Sequence, residues 1–260
     1  MQPEQTRLAN EVPAADAPAG TIAASSVRGS RTKWFSSFAA GTLAGFIAFL
    51  GIQEFGYFFR LPVHLGPLLD KQELTQEEFK LLTAAAILRD YQNTALQVAI
   101  LGAAAGGLLG LVEGLARRSL LATVIGCVGG ILLGGIAGAV GGIADLYALT
   151  WLWGMEFDIT FKSMAAHSVA FLLAGIGIAL VVGLTRGRLF QTLGVVLAAA
   201  LLAGLIYPGL AAYLWPIENT NAAVPTVGRG PLMLWTMLPA VLIGLAIART
   251  APVVAAKPAA

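Results

Sequence analysis

Six long apolar blocks, at about residues 35 to 57, 95 to 116, 119 to 143, 165 to 185, 189 to 213 and 231 to 248, alternate with shorter polar or charged stretches along the chain. Each block can cross a hydrocarbon core of about 30 Å as a helix, the conformation that satisfies its own backbone in lipid. The pattern predicts an all-α integral membrane bundle of six transmembrane helices over residues 34–249. Residues 1–33, rich in Ala, Pro, Ser and Thr, and residues 250–260 read as disordered tails. The segment from Arg60 to Gln97 begins with a proline-marked stretch, RLPVHLGPLLD, and continues as a helix over about residues 75–93. Thr75 and Glu78 have the spacing of a capping box at its start, and it can run unbroken into the second span.

Two of the blocks carry glycine at every fourth position. Gly102, Gly106, Gly110 and Gly114 form one row, and Gly126, Gly130, Gly134, Gly138 and Gly142 the next. In water each would cost a helix about 1 kcal/mol relative to alanine, whereas in a bilayer small residues let two backbones approach. Residues 99 to 142 therefore resemble glycine-zipper membrane hairpins, a packing motif with no reaction attached. Residues four apart advance about 400° around the helix, so the longer row drifts by about 160°. The third span is accordingly expected to be the most buried, touched by at least two neighbours.

The glycine-flanked turn GLARRSL also bears a superficial similarity to the proton-carrying ring subunit of rotary ATP synthases. That family spaces its glycines by two and carries a mid-membrane carboxylate on its second helix, neither of which this pattern predicts. A second turn, GLTRGRL, matches the first at an offset of 69, pairing Gly114 with Gly183, Arg117 with Arg186 and Thr123 with Thr192. A duplication of this kind would be a parallel repeat.

Composition agrees with a membrane protein: 57% of the residues are hydrophobic and 12% charged, and the mean hydropathy is +0.79. With the N-terminus inside, ten of the sixteen basic residues fall on the cytoplasmic side and ten of the fourteen acids on the other. This bias predicts a multi-pass protein of the cell membrane with both termini cytoplasmic. No basic stripe interleaves with aromatics, so a nucleic-acid partner is not expected.

Candidate chemistry is sparse. Cys127 is the single cysteine, and GxSxG and GxxxxGK[ST] are both missing. Glu113 lies one turn from Arg117, the spacing of an i to i+4 ion pair. At about 1.5 Å per residue, Asp145 and His167 fall near the outer interface, so no charge is expected at mid-membrane. Residues 144 to 164, with Tyr147, Trp151, Trp153, Phe157 and Phe161, read as an outer loop with interfacial aromatics. His64, His167, Asp145, Glu156 and Asp158 are weak candidates for a metal site on that side, with no short ligand spacing among them. The expectation is a non-enzymatic protein without cofactor. It is read first as a structural or assembly component in the lipid bilayer, with a protein partner or a second copy, and alternatively as a permease or channel for a small or weakly charged solute or metal ion.

Overall fold

A computed structural model describes residues 19–216 and 228–250, with side chains from Trp34 onward. Its seven α-helices are α1 (Ala19–Phe55), α2 (Gly66–Leu69), α3 (Gln76–Ala116), α4 (Leu120–Trp153), α5 (Ile159–Arg186), α6 (Leu189–Leu214) and α7 (Arg229–Arg249), with one 3-10 turn at Val63–Leu65. Six helices, all but α2, are long and apolar enough to cross a membrane. The expected tails over residues 1–18 and 251–260 lie outside the described residues, and α1 begins within the segment assigned to the first tail.

Local chemistry explains where the helices start. The Thr75 hydroxyl accepts from the Glu78 amide at 3.3 Å, and the Glu78 carboxylate accepts from the Thr75 amide at 3.0 Å, completing the expected capping box. From there α3 runs without interruption through the second span. Ser119 caps α4 and Asp158 caps α5. The Thr160 amide donates to Asp158 at 2.7 Å, and backbone hydrogen bonding to Thr160 holds that carboxyl below its usual range.

The helices form a ring in the order α4, α3, α1, α7, α6, α5, with α3 also meeting α5 directly. The most extensive contact is between α3 and α4. A Cβ at Gly102 would collide with the backbone of Gly134, one at Gly106 with Gly130, and one at Gly110 with Gly126; Gly138 and Gly142 lie against Val98 and Thr94. One neighbour therefore covers the whole five-glycine row, contrary to the expected sweep across two. The physical reason is that helices can wrap around each other: a contact repeat longer than 3.6 residues stays on a single partner when the pair supercoils.

The third span is also not the most buried. Only 17% of the apolar stretch of α4 is buried, the lowest share among the six, against 61% for α5. The period-four glycines of α4 form one stripe, while Ile125, Val128, Leu132, Ile136 and Val140 point away from the bundle. Among the described residues α4 gives no apolar side chain to the main core, which is built from α1, α3, α5, α6 and α7.

The turns following α3 and α5 are similar, although α5 runs one residue further before its turn. Arg118 and Gly187 both have positive φ, 53° and 66°, and Ser119 and Arg188 are the N-caps that follow. Gly114 packs on Thr123 as Gly183 packs on Leu189 and Thr192.

Candidate functional site

Two polar layers lie inside the bundle, one toward the basic turns and one toward the opposite end. In the first, Arg186 on α5 reaches Glu113 on α3, with Nη2 at 2.6 Å and Nε at 2.8 Å from Oε2. Its Nη1 donates to the Ile247 carbonyl at 2.7 Å and to the Thr250 hydroxyl at 2.6 Å, which ties in the end of α7. The expected partner of Glu113, Arg117, stands at 4.0 Å. Arg186 is the nearer partner because α5 ends beside α3, a tertiary proximity that helical spacing does not contain. The Arg186 side chain is 4% exposed, so both ions are withdrawn from water and satisfied by each other and by α7.

The second layer departs further from expectation. Residues 144–153 are not a loop: α4 continues through them to Trp153. Asp145 therefore sits on a helix inside the bundle, fully buried, and so does His167 on α5. Asp145 follows Gly142, which packs on Thr94 and Ala95 of α3, by three residues, and Gly141, which packs on Ala170 of α5, by four. Residues three and four apart share a helix face, so Asp145 occupies the junction of α3, α4 and α5. Neither of its carboxylate oxygens has a hydrogen-bond partner.

At about the same level α5 contributes a run of buried polar side chains, Lys162, Ser163, His167 and Ser168, of which His167 is turned toward Tyr207 and Trp235 and Ser168 packs against Gly204 of α6. Gly141 against Ala170, with Gly177 against Leu133, sets an antiparallel register that brings Asp145 level with Ala166. Lys162 directs its ammonium over the Trp153 ring at 5.2 Å. His167 Nδ1 accepts from the Trp235 indole N–H at 3.2 Å. An indole nitrogen only donates, so the ring proton of His167 resides on Nε2, and that N–H meets no acceptor. Phe171, Tyr207 and Trp235 enclose the imidazole, with Tyr207 edge-on at 4.8 Å between centroids. The hydroxyls of Ser163 and Ser168 are buried without partners.

Both helix-interior prolines border this layer. Pro208 and Pro239 have no N–H to give the carbonyls four residues earlier, those of Gly204 and Trp235. Gly204 packs on Ser168, and Trp235 bonds to His167. On α3, Gln97 donates to the Gly56 carbonyl at 2.6 Å and keeps Oε1 unpartnered.

The five weak metal candidates are not gathered. His64 lies exposed on the 3-10 turn, Glu156 and Asp158 lie exposed between α4 and α5, and only Asp145 and His167 enter the bundle. Among the described residues no three His, Cys, Asp or Glu side chains converge. Sequence reasoning missed Lys162, Ser163, Ser168, Tyr207 and Trp235. The i to i+4 spacing of Ser163 and His167 was the available signal for two polar groups on one face.

No family model, curated protein or solved structure matches the chain.

Proposed function

We propose that the protein is a permease or channel for a small cation or weakly charged solute, working through the polar layer centred on Asp145. The observation that carries this reading is the carboxyl group itself, fully buried at a three-helix junction with both oxygens unpartnered. An ionisable group inside a membrane bundle is costly and is characteristic of a solute or ion path. Unsatisfied buried polar atoms subtract from stability, so a scaffold gains nothing from them. Two proline-relieved carbonyls beside the layer add acceptors of the kind found where transporter helices are interrupted.

The glycine rows support an internal role. We read α3 and α4 as a glycine zipper that locks one hairpin, since the two rows face each other within the chain. That leaves the assembly reading with less support: the outward side of α4 is aliphatic and suits acyl chains. We also read the α3–α4 and α5–α6 hairpins as a parallel repeat, on the matching turns. On the basic bias we read both termini as cytoplasmic and the Asp145 layer as lying toward the other side.

Flux into proteoliposomes, measured with a panel of monovalent cations, protons and small neutral solutes, tests the transport reading. A protein-dependent flux of at least one solute, reduced tenfold or more by Asp145→Asn, is expected. Leakage equal to that of empty vesicles across the panel would contradict it.

A further inference from the structure

We propose that Asp145 carries an exchangeable proton, making the α3–α4–α5 junction a proton-binding site. This deepens the transport reading and rests on the same site, but it is read by a different measurement.

The argument begins with charge balance. An ionised carboxylate inside a low-dielectric bundle needs a counter-charge or several donors, and Asp145 has neither. The titratable groups that α3 and α5 bring to this level are Tyr91, Lys162 and His167, with the Arg89–Asp90 pair beside Tyr91. Arg89 and Asp90 are bonded to each other at 2.7 Å at the exposed side of α3. Lys162 is engaged with Trp153, two helical turns beyond Asp145 along α4. His167 is held by Trp235 in its neutral form, because a protonated imidazole has no lone pair left to accept the indole N–H. Tyr91 is half-buried.

The chemistry of the donor set then selects the ligand. A divalent cation would need further carboxylates or imidazoles, and no such group of three converges among the described residues. One proton neutralises one carboxyl group without any additional ligand. It forms a single O–H bond on Asp145, taken from water and returned to water. Ser163 lies on α5 within one turn of Asp145's level, seven residues before Ala170 and so on the face that meets α4, and its hydroxyl has no partner. It supplies a hydroxyl that can pass a proton between the junction and the Trp153 end of the bundle.

Infrared difference spectroscopy of the full chain in lipid nanodiscs tests the proposal. At neutral pH the wild type should show the C=O stretch of one protonated carboxyl group, shifted after exchange into D2O and missing in Asp145→Asn. In case that variant does not fold, Asp145→Glu should move the same band in frequency while keeping it. Identical carboxylic-acid regions in the wild type and the folded variant would overturn the proposal. A band that does not shift in D2O would also overturn it, because the proton would not be exchangeable. A band abolished by sodium or potassium at constant pH would make a metal cation the ligand instead. Flux is not involved, so a failed transport assay leaves this result standing, and the reverse also holds.

Discussion

At the end of the bundle near the basic turns, Arg186 bonds to Glu113, the Ile247 carbonyl and Thr250, and three helices are joined by one satisfied cluster. At the opposite end Asp145 meets three helices as well, yet both of its oxygens are left without a partner. The two layers draw on the same hairpin, since Glu113 closes α3 and Asp145 lies near the far end of α4. The contrast teaches that burial of charge has two different meanings in this fold. A paired ion cluster holds helices together, whereas an unpaired carboxyl group at a helix junction holds nothing together and is where we propose a ligand binds.

The most severe way to break the comparison is to remove the hairpin that both layers share. A leucine at Gly130 would project into the backbone of Gly106 and Gly107, where no flexible side chain can give way. The cost should exceed the roughly 1–3 kcal/mol of ordinary overpacking. Gly130→Leu should fail to give a monodisperse species in detergent, and a variant that elutes and melts like the wild type would show that the rows do not hold the hairpin. A smaller effect is expected from Arg186→Met, which strands Glu113 in a buried position. Breaking a buried pair from one side costs about 3–5 kcal/mol, readable as a drop of several degrees in Tm. An unchanged Tm would remove the distinction between the two ends.

Much of the architecture was legible in the chain. Thr75 and Glu78 announced the start of α3, and the period-four glycines identified which residues of α3 and α4 would touch. The burial of α4 is not legible from the glycine row, because its drift of about 160° holds for a straight helix only, and helices that wrap around each other keep such a row on one partner. Depth along the helix puts Asp145 and His167 near the outer interface but does not say that their side chains turn into the bundle, and Tyr147, Trp151 and Trp153 read as an interfacial loop. Those aromatics ride on the last turns of α4 instead. A signal for Asp145 was nevertheless present: it is three residues past Gly142 and four past Gly141, on the two faces that pack closest. The link from Glu113 to Arg186, by contrast, joins residues 73 apart, and no local rule contains it.

The most direct test of the central claim compares thermal unfolding of Asp145→Asn with that of the wild type, in the same detergent at neutral pH. If Asp145 is a ligand site and not a structural partner, the substitution breaks no bond in the bundle. Its effect should then stay within about 1 kcal/mol, with Tm unchanged or slightly raised. A fall in Tm as large as that of Arg186→Met would contradict the account, because Asp145 would then be holding the helices together as Arg186 does.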